Sequence, residues 1–307
     1  MLNITEETHK DLYYNVEKCV AYCKNIPETT YGQVTDYHMF WNVGLPFGRK
    51  QILPIKSYLA TQNIKSTRLN VWSNVDLTEN EYLKPFLDKI TFRIWDPVEH
   101  AKDTPLESIK RYFNLNDGNN WFRGDLFRIL CLHKYGGLYV DFDVVFLRDF
   151  APLLDQEFMY KWSFQKNMIN GAVMRLFKDS LLSKQLMMEM VNLGVQPGTI
   201  NWSSTLYERV YSYNKNWTIL PCGFFNTEWQ IELNEQQKAD PKNKELIDFI
   251  RYPFKKTELS NELYDGVFSW HWHNGWTTPI EPGSKWHILE QKMNFKIKEL
   301  YGIESLL

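Results

Sequence analysis

The 307-residue sequence contains no apolar run long enough to span a bilayer, and its opening stretch, MLNITEETHKDLYY, has no apolar signal core. We therefore expect a cytoplasmic protein without a membrane span. On that expectation the three sequons (at Asn3, Asn201 and Asn216) are chance matches. Cysteine is scarce. The four residues Cys19, Cys23, Cys131 and Cys222 form no CxxC pair and join no histidine cluster, which argues against a zinc site or a disulfide framework. Net charge is also low, formally −2, so a general nucleic-acid or membrane-surface binder is not expected. Internal repeats and low-complexity linkers are absent, which excludes a solenoid.

What is present is a chain of domain size with 44% hydrophobic residues, enough to fill a core. Aromatics are plentiful, with 12 Trp, 17 Tyr and 19 Phe. Such rings suit the apolar faces of pyranoses and also fill large cores.

The organising stretch is Asn119 to Leu147, NNWFRGDLFRILCLHKYGGLYVDFDVVFL. Leu126, Ile129, Leu130 and Leu132 follow helical spacing, with Asp125 and Arg128 three apart on a neighbouring face. Gly136 and Gly137 follow a basic last turn and stop the helix, because glycine adopts the left-handed cap without a Cβ clash. LYVDFDVVFL then reads as a strand. Alternation along it puts Tyr139, Asp141 and Asp143 on one face. Two adjacent carboxylates at the end of an apolar strand resist joint ionisation and require a positive partner. A hard divalent cation, Mg²⁺ or Mn²⁺, is the simplest one.

This segment resembles the glycosyltransferases with a DxD-containing sugar-binding region. That family includes α-1,6-mannosyltransferases and α-1,4-galactosyl- and N-acetylglucosaminyltransferases, and the glucosylating bacterial toxins are related to it. Its pattern, close to SDxxRxxxLxxxGGxYxDxD, is matched by Gly124-Asp125, Arg128, Leu132, Gly136-Gly137, Tyr139, Asp141 and Asp143. Gly124 departs from the usual serine or alanine. The resemblance implies a single α/β, GT-A-type, Rossmann-like nucleotide-sugar-binding domain over 31–307, with a helical addition at 1–30. It also implies a Mn²⁺- or Mg²⁺-dependent enzyme that moves a sugar from a UDP- or GDP-sugar to a glycan, lipid or protein acceptor, with retention of configuration. Asp143 would be the direct metal ligand, Asp141 would bind ribose and metal, and Asp125 and Arg128 would contact donor sugar hydroxyls, with Tyr139 on the same face of the site.

The rest of the chain is read around this element. An amphipathic helix is expected over 6–24, ended by Pro27. YHMFWNVG, 37–44, reads as the first core strand and partly matches the family's IxHxxW. Trp41 there either stacks on the nucleobase or belongs to the core with Phe40. A helix near 51–62 and strands at 69–73 and 90–95 follow, a β-α-β alternation that implies parallel strands. Residues 96–118 read as loop and short helix. MINGAVMRLF, 168–177, is a strand whose Asn170-Gly171 matches a family position beside the donor sugar. Helices follow to Leu193 and over 197–213, the latter on the acceptor side by resemblance, and 231–250 is charged with helical character. GVFSWHWHNGW, 266–276, falls where the family has HxxxxSW. A histidine from this loop, His271 or His273, would reach the metal, and Trp276 would close over the donor. Spacing does not separate the two histidines, although His273, three before the tryptophan, is the preferred one. A final helix is expected over 284–300.

Two other classes compete. LYVDFDVV also fits the hhhhDxDx motif of haloacid-dehalogenase phosphotransferases, with Asp141 as nucleophile. No convincing downstream Asp-Asp pair accompanies it, and that reading leaves the helix-Gly-Gly lead-in unexplained. An inactive sugar-binding relative is the other, against which stand the intact Asp125, Arg128, Asp141 and Asp143.

Overall fold

The computed structural model describes residues 4, 6–42, 44–113, 121–163, 168–194, 202–227, 252–256 and 266–304. The expectations for 114–120, 197–201 and 231–250 lie outside them. Two helices come first, α1 (Glu6–Tyr14) and α2 (Val16–Asn25). The β-α-β-α series follows as β1 (Thr35–Trp41), α3 (Arg49–Thr61), β2 (Thr67–Ser73), β3 (Thr91–Ile94), α4 (Pro97–Ala101), α5 (Trp121–Tyr135) and β4 (Gly137–Val140). Then come β5 (Val144–Phe146), β6 (Phe158–Ser163), β7 (Met168–Leu176), α6 (Leu181–Leu193), α7 (Ser204–Tyr213), β8 (Thr218–Leu220), β9 (Ser269–His271) and α8 (Lys285–Tyr301).

Seven strands make one sheet in the order β3-β2-β1-β4-β7-β6-β8, with β4 at its centre. The β3-β2-β1-β4 half is parallel, and β7 runs antiparallel to both β4 and β6. This is the expected α/β architecture, a mainly parallel sheet between helical layers. Parallel strands are covered on both faces, so they read as near-continuous apolar runs. Accordingly β1 is buried at six of seven positions. Tyr37, Met39 and Trp41 point into the core shared with α3 and α8, while Phe40 points into the core shared with α5, α6 and α7. Leu12, Cys19 and Cys23 of the N-terminal helices join the first of these cores. Among the described residues, no helix is long and apolar enough to cross a membrane.

Two expectations are corrected. The helix over 6–24 is two helices divided at Asn15. Asn15 has extended backbone (φ −133°, ψ 98°), and its Oδ1 accepts from the Lys18 amide at 2.9 Å. Asparagine satisfies an orphan amide as a cap better than it fits a helix interior. The strand expected through Leu147 also breaks, after Val140. Asp141 still donates its amide to Ala172 of β7, but the Val144 amide turns back to the Asp141 carbonyl at 3.1 Å. Beyond this turn β5 leaves the large sheet and pairs antiparallel with β9. The two aspartates thus sit on a turn between two sheets.

The glycine pair before β4 is required by two separate constraints. Both residues have positive φ, 67° at Gly136 and 105° at Gly137. A Cβ on Gly137 would also collide with the Asp36 carbonyl oxygen of β1. His38 fixes this junction from below. It is 1% exposed, its Nε2 lies 3.0 Å from the Gly136 carbonyl, and the Trp72 indole donates to its Nδ1 at 3.2 Å. With one nitrogen donating and the other accepting, the ring is committed to its neutral form. Burial lowers His38 to about 4 from 6.5, against the opposing pull of Asp36. Between these values the unfolded chain binds the extra proton, so stability is present above pH 6.5 and is lost as pH falls toward 4. The interval corresponds to roughly 3 kcal/mol. Urea midpoints measured against pH should therefore fall across this window in the wild type and flatten in His38→Gln.

Candidate active site

Four elements converge where the carboxyl ends of β1 and β4 meet the start of β5. α5 supplies Asp125 and Arg128, the turn after β4 supplies Asp141 and Asp143, β7 supplies Gly171, and β9 supplies His271. Arg128 Nη2 stands 3.4 Å from both Asp125 Oδ1 and Asp141 Oδ1. Its guanidinium also lies 5.0 Å over the Tyr139 ring, and the Tyr139 hydroxyl donates to Asp141 at 2.5 Å. A Cβ on Gly171 would fall 2.9 Å from Arg128 Nη1 and 2.6 Å from the Tyr207 hydroxyl of α7. Any side chain there would push the ends of Arg128 and Tyr207 aside, so glycine keeps them in place through contact and not through backbone angle.

Asp143 is held from the other side. His271 Nε2 is 3.1 Å from its Oδ1, the Asn274 amide donates to its Oδ2 at 2.8 Å, and the Trp272 amide donates to its carbonyl at 3.0 Å. The register explains why His271 arrives here. It lies opposite Val144, the residue after Asp143, in the β5–β9 pair. Asp141, Asp143 and His271 each direct one ligand atom into a common space, all within 4.8 Å of one another.

The electrostatics are uneven. Asp125 and Asp141 share one guanidinium, and Asp143 adds a third carboxylate beside them. Burial raises Asp125 to about 6 although Arg128 pulls it down. Asp141 is raised by burial and by the charge of Asp143, with Arg128 opposing. Burial would raise Asp143 too, but His271, with help from His273 and the Asn274 amide, brings it to about 2. Arg128 is held well above its usual range, because the carboxylate charges outweigh its desolvation. The set retains surplus negative charge, and Asp141, with its side chain 24% exposed, is the open side. Two carboxylates and an imidazole make a sound donor set for a divalent cation.

The loop after β9 is backbone-strained. His273, Asn274 and Gly275 carry φ of 54°, 64° and 72°. Non-glycine residues in this region cost on the order of 1 kcal/mol each and need outside restraint. The restraint comes from Asp143 on the Asn274 amide and from Lys50 of α3, whose ammonium donates to the Gly275 and Thr278 carbonyls at 2.5 and 2.6 Å. Lys50 is 6% exposed, and burial lowers its ammonium to about 8.

Of the residues read from the sequence, Asp125, Arg128, Tyr139, Asp141 and Asp143 come together. Of the two histidines, the structure brings His271 to the carboxylates. His273 stacks on it at 3.8 Å and turns its Nε2 toward the Asn226 amide, and burial depresses His273 to about 2. Trp41 is 7% exposed and packs edge-on against Phe47, Phe142 and Trp276, so the structure places its ring in the core. Trp276 is half-buried at the rim, 4.9 Å from Trp41. Asn170 caps the Ala172 amide at 2.7 Å beside Gly171. Lys50, Tyr160, Tyr207 and Asn226 were not singled out from sequence. Asn274 fell within the GVFSWHWHNGW segment, and Asn274-Gly275, a dipeptide that tolerates left-handed backbone, carried a local signal for the turn.

Residues 38–160, which run from β1 into β6 and contain Asp125, Arg128, Asp141 and Asp143, match the family described as "Glycosyltransferase sugar-binding region containing DXD motif". Among solved structures the chain is similar to the PaToxG glycosyltransferase, with 16% identity over 66% of this chain and 76% of that one and a TM-score of 0.45. It is also similar to mouse xyloside xylosyltransferase 1 in its apo form, with 13% identity over 80% of this chain and 99% of that one and a TM-score of 0.47. No curated protein matches the chain.

Proposed function

We propose that this protein moves a sugar from a nucleotide-diphosphate donor to an acceptor hydroxyl, a reading supported by the match of residues 38–160 to the glycosyltransferase family described by its DXD-containing sugar-binding region. The observation that carries the reading is the convergence of Asp141, Asp143 and His271 in a cluster with surplus negative charge. That donor set fits Mn²⁺ or Mg²⁺, which when bound would neutralise the diphosphate as it leaves.

The chain's own residues divide the remaining work. Asp141 and Asp143 would hold the cation, with His271 as the third ligand. Arg128 opposes the upward push of burial on Asp141 and aims its carboxylate, and with Asp125 it would meet donor sugar hydroxyls through its fixed fork. The donor would lie at the carboxyl ends of the parallel strands, as ligands do in open α/β sheets. Gly171 and Asn170 would line the sugar, and Trp276 would cover it. Trp41 and Tyr139 would shape the pocket from behind, since both are packed or hydrogen-bonded internally. We read residues 1–30 as a helical addition and 31–307 as the catalytic domain.

A UDP- or GDP-sugar is the donor class and a glycan, lipid or protein the acceptor class. The α-linkage with retention follows the resemblance. No side chain in the site presents itself as a nucleophile, so attack on the donor's front face is the route proposed.

Thermal shift with UDP-Glc, UDP-Gal, UDP-GlcNAc, GDP-Man and GDP-Fuc, each with Mn²⁺, tests the reading. One of these should raise the melting temperature by several degrees at saturating concentration, because a ligand selective for the native state stabilises it by mass action. If none did, and a phosphate ester were hydrolysed instead, the haloacid-dehalogenase chemistry at Asp141 would replace it.

A further inference from the structure

His271 has two ring nitrogens, and the site described above uses only Nε2. Its Nδ1 points away from the carboxylates and lies 3.2 Å from the hydroxyl of Tyr160 on β6. Both side chains are sealed, at 0% exposure for Tyr160 and 5% for His271. In the structure as it stands, Nε2 faces an Asp143 oxygen at 3.1 Å. A neutral ring that donates there must accept at Nδ1. To offer Nε2 as a lone pair to a cation, the same ring must carry its proton on Nδ1 and donate it. A carboxylate or carbonyl could serve only the second arrangement, whereas a phenol can donate or accept and so serves both.

We propose that Tyr160 is the positioning residue that holds His271 in register with Asp141 and Asp143 through both proton arrangements. This rests on the reading of Asp141, Asp143 and His271 as a cation site. Tyr160 is suited to the task by its place in the fold. β6 lies in the large sheet and β9 in the small one, so the bond ties the imidazole to a different sheet from the one that carries it. The β5–β9 pair is only three residues long and exerts little hold on a side chain by itself. The partner of a ligating imidazole's second nitrogen typically governs metal affinity by 10- to 100-fold.

The test is Mn²⁺ titration calorimetry on the wild type and on Tyr160→Phe, with ¹⁵N-histidine NMR on both metal-free proteins. Loss of the hydroxyl should weaken Mn²⁺ binding by about 10- to 100-fold. It should also shift the His271 Nδ1 resonance before any metal is added, a change that loosened packing alone would not confine to that nitrogen. Equal Mn²⁺ affinity in the two proteins would overturn the proposal while leaving the cation site standing. Absence of Mn²⁺ binding in the wild type would instead overturn the site on which it rests. Should Tyr160→Phe not fold, 3,5-difluorotyrosine at position 160 keeps the shape and alters only the phenol's donor strength. An unchanged Nδ1 resonance and Mn²⁺ affinity there would equally refute the role.

Discussion

Asp143→Asn is expected to lower donor turnover by about 10²- to 10³-fold while leaving the fold intact, a loss typical of removing a group on which transition-state charge stabilisation depends. The two halves of that result have separate causes. Asparagine is a neutral, poor ligand for a hard cation, so the Asp141, Asp143 and His271 set loses its strongest donor. The same change removes the carboxylate charge next to Asp141, so it relieves repulsion on Asp141. It forfeits one of the two hydrogen bonds that Asp143 accepts on separate oxygens, because one of those oxygens becomes an amide nitrogen, which donates and does not accept. These terms oppose one another, and the metal-free melting temperature should move by only a few degrees. The Mn²⁺-induced rise in melting temperature should disappear. Turnover of a nucleotide sugar near the wild-type rate would remove Asp143 from the metal site.

Arg128→Met is expected to damage stability far more. The guanidinium is the shared partner of Asp125 and Asp141, with its own side chain 11% exposed. Removing one partner of a buried ion pair leaves uncompensated charge and costs on the order of 3–5 kcal/mol. The pH dependence identifies the cause. Asp125 already titrates near 6 with Arg128 present, and without it should rise further. A carboxyl whose folded-state value lies above its unfolded one favours the fold below the unfolded value and loses that contribution as pH climbs through the folded one. Arg128→Met should therefore be less unstable at pH 5 than at pH 8 in urea titrations. A uniform deficit at both pH values would mean that the guanidinium acts through packing on Tyr139 and not through charge.

Much of the framework could be read in the sequence because its signals are local. The spacing of α5, the glycine pair and the apolar runs of β1 and β4 involve neighbours within a turn or a strand, and the start of each was placed to within a few residues. The carboxylate turn was not readable. Its alternation continues through Val144, and only the pairing of β5 with β9, about 125 residues away, pulls the chain out of the large sheet. For the same reason the choice between His271 and His273 could not be made from spacing. Strand alternation puts the two on one face only if the backbone stays extended, and it turns left-handed at His273. Tyr160 and Lys50 gave no signal at all. A tyrosine in a buried strand and a lysine in a helix's first turn are ordinary until contacts across 111 and 225 residues give them their partners.

The central claim is that Asp141, Asp143 and His271 hold a divalent cation that in turn holds the donor's diphosphate. Mn²⁺ binding followed by electron paramagnetic resonance, with and without saturating UDP or GDP, measures this most directly. If one site holds both ion and nucleotide, linkage requires each to tighten the other. We expect Mn²⁺ affinity to rise by at least about 10-fold with one of the two nucleotides, a typical coupling between sites, and a nitrogen hyperfine coupling on the bound Mn²⁺ that is lost in His271→Ala. Mn²⁺ affinity indifferent to both UDP and GDP, or a bound ion with no histidine nitrogen in its shell, would contradict the account.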